Sequence, residues 1–213
     1  MTDDERPAAK TTRRRGQALL DAIHEAVLLE VAETGPSGLT MEGIARRAGT
    51  AKTSLYRRWS TPEDILIEAI RHHYPQETPT AGADDLRGDL IAAIGLTRDL
   101  MGDRTLGRAL LTVNAEATMR PELHRRMWAE VYEPLGGRFT QRVMEHYAAL
   151  GHIDPARVNE LTADIGESLM LKYAVDHPGE LPPEGYERRI VDEVLLPVLG
   201  HPPGWSGAVG PTV

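Results

Sequence analysis

The chain contains no cysteine, which excludes a disulfide framework, a thiolate zinc site and a cysteine nucleophile at once. A cytoplasmic setting is the default reading. No apolar run approaches the roughly 20 residues that a membrane-spanning helix needs. The opening residues, MTDDERPAAK, also lack the apolar centre of an export signal, so no membrane partner is expected. Catalytic patterns are missing too. There is no HExxH, no phosphate-binding glycine loop and no nucleophile elbow. A carboxylate-bridged di-metal bundle needs Glu-x-x-His on two helices, and the nearest approach is a single Asp21-Ala-Ile-His24. Asp84, Asp85 and Asp89 sit where a helix begins and complement its dipole; His72 and His73 sit where one ends and read as carbonyl caps. The chain is read as no enzyme, with no catalytic residue, no metal and no cofactor.

Positive charge is also short overall. The formal net charge is −8, which opposes binding to a phosphate backbone. The average hides an asymmetry, because the stretch from Lys10 to Trp59 carries Lys10, Arg13, Arg14, Arg15, Arg46, Arg47, Lys52, Arg57 and Arg58 against only Asp21, Glu25, Glu30, Glu33 and Glu42. The excess acid lies downstream.

What is present is helical. Hydrophobic residues make up 41% of 213, enough for a real core, and nothing alternates like a strand for more than a few residues. The fold class is all-α: an N-terminal three-helix helix-turn-helix headpiece and a C-terminal helical ligand-binding and dimerisation domain. The expected divisions are a flexible arm over 1–12, the helix-turn-helix over 13–60, a connecting helix and linker over 61–82, the helical domain over 83–200 and a fraying tail over 201–213.

Thr11 or Thr12 can cap a first helix carrying Leu19, Leu20, Ile23, Val27 and Val31, ending near Gly35-Pro36. Thr40 caps the second and Gly49 closes it, where a left-handed backbone is cheap. Thr50 starts the third. Thr61-Pro62-Glu63-Asp64 opens the fourth with a hydroxyl cap, a proline at the first helical position and acids in the first turn. PQETPTAG, over 75–82, breaks the pattern. Later helices are expected over 84–101, 105–119, 121–150, 155–175 and 183–199, the last kinked or ended near Pro197. Thr-Thr-Arg-Arg-Arg at the end of the arm either reaches phosphates or a minor groove, or is a solvated tail.

Leu39 to Trp59, LTMEGIARRAGTAKTSLYRRW, supplies an anchored helix, a glycine turn and a short basic helix. Leu55 and Trp59 are four apart and root that helix. Thr50, Lys52, Thr53 and Ser54 offer donors suited to phosphates and base edges, while Tyr56, Arg57 and Arg58 add backbone contacts. Any amphipathic helix pair with a glycine turn shares these features on pattern alone.

The run IARRAGTAKTSLYRRW resembles the DNA-binding headpiece of the TetR family of bacterial transcriptional regulators. The resemblance rests on Ile44-Ala45, Ala48-Gly49, Leu55-Tyr56 and Trp59, and covers roughly Arg13 to Tyr74. It implies that Thr40 caps the second helix at a phosphate, that Lys52, Thr53 and Ser54 read the major groove, and that Tyr56 and Arg58 hold phosphates. Two positions depart from the family. Pro62 stands where many members have a phosphate-gripping lysine, leaving only backbone amides to hold an anion. Glu42 stands where some have an arginine, with Arg46, Arg47, Arg57 and Arg58 as possible compensation.

Beyond Gly82 the resemblance implies a variable domain that binds a small ligand and pairs with its twin. Leu161, Ile165, Leu169 and Tyr173 form one stripe, with Met170, Leu171 and Ala174 on a second face; Ala163, Gly166 and Ser168 permit close helix approach. The expected dimer residues are Leu161, Ile165, Leu169, Val191, Val194 and Leu195, the alternative being that both helices simply fill a monomer core. The candidate ligand residues are Met101, Asn114, Trp128, Tyr132 and Met170, suited to a hydrophobic small molecule. The leading expectation is a homodimeric repressor released from a pseudo-palindromic DNA operator by that effector. The alternatives are a DNA-binding regulator governed by a protein partner or by no ligand, and a helical carrier or enzyme with a vestigial headpiece.

Overall fold

The computed structural model describes residues 8–75, 85–134 and 138–205, with side chains from residue 16 onward. Every regular element among them is helical. They fall into two compact units, one drawn from Met1–Tyr74 and Thr105–Val131, the other from Pro75–Arg104 and Tyr132–Val213. This division differs from a single boundary at residue 82.

In the first unit α1 spans Ala8–Thr34, α2 Met41–Arg47, α3 Lys52–Tyr56 and α4 Pro62–His73. Helices α6 (Leu106–Ala117) and α7 (Pro121–Met127) complete it. The long α1 packs along α4, α6 and α2. Val27, Val31, Ile44, Leu55, Ile65, Leu66 and Ile70 are fully buried there, each stabilising the fold by about 1.5–3 kcal/mol relative to exposure.

The helix starts follow local chemistry. Thr40 Oγ1 accepts from the Gly43 amide at 3.0 Å. Thr61 Oγ1 accepts from the Asp64 amide at 3.2 Å, and the Thr61 amide donates in turn to Asp64 Oδ2 at 2.9 Å, a capping box. Gly49 turns the chain between α2 and α3 at φ 63°, a conformation that costs any other residue a Cβ clash. Two expected boundaries move. The first helix begins at Ala8, so Thr11 and Thr12 lie inside it and the expected arm over 1–12 is in part helix; residues 1–7, and the side chains of Arg13, Arg14 and Arg15, are outside the described residues. The third begins at Lys52 behind Ala51 rather than at Thr50, because the turn after Gly49 uses the Thr50 amide to close on Ala45 O at 3.0 Å.

The second unit contains α5 (Leu86–Gly102), α8 (Phe139–Ala149), α9 (Glu160–Asp176), α10 (Tyr186–Ile190) and α11 (Leu196–Leu199). Helix α5 packs on α8 and α9. Tyr147, fully buried, donates to Asp89 Oδ2 at 2.7 Å and accepts from the Asp85 amide at 3.0 Å. Burial and the neighbouring Asp89 carboxylate push the Tyr147 phenol well above its ordinary value. Arg87 grips Asp192 with two bonds of 2.6 and 2.7 Å, and that bond holds the Asp192 carboxyl below its usual range.

The helix expected over 121–150 is interrupted: α7 runs into a π-helical segment at Trp128–Tyr132, and α8 starts only at Phe139. The helix expected from Pro155 is a 3-10 turn over Pro155–Arg157, after which Asn159 and Thr162 form a new capping box. Past Pro197 the helix runs only two more residues and ends at Leu199, in line with an end near that proline. A π segment at Val191–Leu195 precedes it and absorbs the hydrogen bond that proline lacks. In the described part of the tail over 201–213, His201 stacks on Trp205 at 3.8 Å and its Nε2 meets His152 O at 2.8 Å. The 76–84 stretch, with most of the expected linker, and 206–213 lie outside the described residues.

Candidate nucleic-acid interface

Helix α3 stands on Leu55, fully buried, and Trp59, 6% exposed. Two apolar side chains four apart commit one face to the core, and the remaining face is left to solvent. Thr53, Tyr56, Arg57 and Arg58 are exposed, with Thr50, Lys52 and Ser54 half-buried and Thr40 exposed at the start of α2. Thus the residues expected to touch DNA gather on the turn and on α3, with Thr40 at the neighbouring helix end.

Their charges are not all free. Lys52 Nζ is hydrogen-bonded to Glu42 and lies over the Tyr56 ring at 5.4 Å. The pair holds the Glu42 carboxyl below its usual range and the Lys52 ammonium above its own. Arg47 is engaged by Glu30 at 3.0 Å and Glu33 at 2.5 Å. Arg58 donates to Glu68 Oε1 at 2.5 Å and stacks on Trp59 at 4.8 Å. All four arginines expected to compensate for Glu42 are exposed, and Arg47 and Arg58 also hold ion pairs within the fold.

The helix end at Pro62 is partly taken up by its own side chains. Its capping box already uses the Asp64 amide and places a carboxylate there. Glu63 is paired with Arg120, and Asp64 with Arg126 at 3.1 Å. A cleft of about 490 Å³ opens beside this helix end, lined by Pro36, Ser37, Leu39, Thr61, Pro62, Glu63 and Arg120. Ser37 closes one wall by donating its hydroxyl to Glu116 at 2.6 Å.

The expected ligand residues do not gather in one unit. Asn114 and Trp128 are exposed on the first; Met101 and Tyr132 are half-buried and Met170 fully buried in the second. Among the dimer candidates, Val191 and Leu195 are fully buried in this chain's own core and offer no surface to a twin. Ile165, Leu169 and Val194 are half-buried, and Leu161 is 80% exposed. The small residues of α9 serve the chain itself: a Cβ on Gly166 would stand 3.0 Å from Ile94 and 3.3 Å from Thr140. Leu171, Val175 and Val198 are further exposed apolar groups of this unit.

Two clusters were invisible to motif reading. Glu68 links Arg58 and Trp59 of the helix-turn-helix to α4, its Oε2 accepting the indole N–H at 2.7 Å. In the second unit Glu167 lies against Thr140, whose hydroxyl donates to Ala163 O at 2.8 Å. Burial pushes the Glu167 carboxyl above its ordinary value.

Comparison with known proteins agrees with this geometry. Residues 25–69 match the family described as bacterial regulatory proteins, tetR family. The HTH-type transcriptional regulator AqdR of Rhodococcus erythropolis is 28% identical over 134 residues, 61% of this chain and 63% of that protein, so the match spans less than two thirds of AqdR. A DNA-binding transcriptional repressor TetR of Mycobacteroides abscessus is 25% identical over 191 residues, 87% of this chain and 96% of its own length. The Bacillus subtilis regulator FadR, solved in complex with stearoyl-CoA, superposes with a TM-score of 0.55 at 18% identity, over 87% of this chain and 98% of that one. That last likeness concerns the fold.

Proposed function

The chain belongs to the TetR family of DNA-binding bacterial transcriptional regulators, and from that premise we propose that it is a homodimeric repressor released from a pseudo-palindromic operator by a hydrophobic small molecule. The observation that carries the DNA half is α3: a short helix rooted by Leu55 and Trp59 whose polar face is turned to solvent. Lys52, Thr53 and Ser54 read base edges in the major groove. Thr40, Thr50, Tyr56, Arg57 and Arg58 position the helix on phosphates.

One headpiece covers one half-site, so two are needed for a palindrome. Leu161, Leu171 and Val175 leave apolar surface exposed on α9, and covering it with a second copy is the economical use of such a patch. The effector belongs to the second unit, with Met101, Tyr132 and Met170 among its candidate lining. The stearoyl-CoA carried by the Bacillus relative supports an apolar chain as the ligand class. Release requires that the effector bind the off-operator state more tightly than the operator-bound one.

The test is selection of bound duplexes from a random pool, followed by anisotropy titration of the selected site. A palindromic motif bound by two chains is expected, with dissociation driven by long-chain acyl compounds. A protein that enriches no motif overturns the reading.

A further inference from the structure

A buried histidine ring without a hydrogen bond requires an explanation, since buried polar groups are otherwise almost always satisfied. His24, in the middle of α1, is 1% exposed, and neither ring nitrogen has a hydrogen-bond partner among the described residues. Nε2 stands 3.5 Å from Glu68 Oε1, longer than an ordinary hydrogen bond. Two further imidazoles face it from the last turn of α4. The ring of His72 lies 5.2 Å and that of His73 6.1 Å from His24, with 4.9 Å between the two. One ligating atom from each residue can be chosen so that all three lie within 4.8 Å of one another.

We propose that His24, His72 and His73 form a binding site for a late first-row divalent metal ion, with zinc as its representative, linked through Glu68 to the DNA-reading helix. Imidazole is the preferred donor for such ions, and three of them leave one tetrahedral position for water or a carboxylate. Zinc–nitrogen bonds of about 2.0–2.1 Å place tetrahedral ligands about 3.4 Å apart. His72 and His73 are exposed at the end of α4, so modest rotation of their rings closes the difference. The chain offers Glu68 beside the site as the compensating negative charge.

The link follows from Glu68's other contacts. Its two oxygens already accept from Arg58 and from the Trp59 indole. A dication beside His24 competes for that carboxylate and alters the tether at the C-terminal end of α3. Metal occupancy is thereby coupled to the pose of the helix that Leu55 and Trp59 root. This coupling rests on the DNA-binding reading; the site itself does not.

Full-length protein is stripped with chelator and titrated with ZnCl₂ by calorimetry in the absence of DNA, alongside a His72→Gln/His73→Gln variant. The result expected is one saturable high-affinity equivalent per chain, weakened at least about tenfold in the variant, while both proteins melt alike without metal because the two substituted side chains are exposed. Co²⁺ in place of Zn²⁺ gives the wild type a visible ligand-field spectrum of low-symmetry coordination, a readout that does not depend on any variant. Wild-type protein that takes up no stoichiometric zinc overturns the site, as does a folded variant that binds zinc as tightly. Operator affinity is then measured with and without ZnCl₂. A change confined to the wild type supports the link through Glu68, and equal affinities overturn it. A chain that binds zinc yet enriches no DNA removes the DNA reading and leaves the metal site standing.

Discussion

The indole N–H of Trp59 donates to Glu68 Oε2 at 2.7 Å, fastening the end of the helix-turn-helix to the middle of α4. The same carboxylate takes Arg58. Replacing Glu68 by alanine strands a nearly buried indole donor and frees Arg58. A hydrogen bond to a charged group contributes about 1.5–3 kcal/mol, and Glu68 is one-quarter exposed, so solvent screening brings the expectation to about 1–2 kcal/mol. Thermal melts of Glu68→Ala against wild type check it; an unchanged midpoint would show that the tether adds nothing.

Glu42 and Lys52 are predicted to oppose each other at the operator. Lys52→Ala and Tyr56→Ala should each weaken binding, the lysine variant also relaxing the sequence preference because Lys52 reads base edges. Glu42→Gln releases Lys52 from its partner and removes a negative charge from the face, so it should tighten binding. Anisotropy on the selected site and on base-substituted versions of it separates these outcomes, and retention of full affinity by both Lys52→Ala and Tyr56→Ala contradicts the assignment of α3.

Glu167 yields a pH prediction. Its folded value lies above the ordinary 4.5 because burial disfavours the charge. Between the two values the folded state holds more protons, so this group's stability is fully present below about pH 4.5 and is lost as pH rises through the folded value. Glu167→Gln should therefore raise the melting temperature at neutral pH, with the advantage vanishing in acid. A variant that is less stable at pH 7 would contradict it.

Leu161 and Val175 are 80% and 73% exposed on α9. If a second copy covers them, Leu161→Glu with Val175→Lys leaves each protomer folded and shifts the assembly to monomer. Sedimentation velocity combined with circular dichroism measures both. A dimer that survives the pair of charges places the interface elsewhere.

The headpiece was legible because its signals are local. Thr40, Thr61 and Asp64 cap the helices that their spacing marks, and Leu55 and Trp59 turn inward as an i, i+4 pair must. Boundaries moved where a signal had two uses: Thr50 resembles a cap, yet its amide completes the preceding turn. The second unit was less legible. Val191 and Leu195 form an apolar stripe as readily for their own core as for a twin, and Gly166 permits close approach to Ile94 as well as to a partner.

By itself the sequence determined the helices, their caps and the apolar root of α3, because backbone hydrogen bonding and the 3.6-residue period act over a few residues. Only the tertiary structure decided which side of α9 faces in, that Glu68 holds Trp59, and that His24 meets His72 and His73. Periodicity says which residues share a stripe, but the neighbour that stripe meets is set by packing between helices distant in the chain. Read along the chain, the three histidines were a mid-helix residue and two end caps, and their common site exists only where α1 lies against α4.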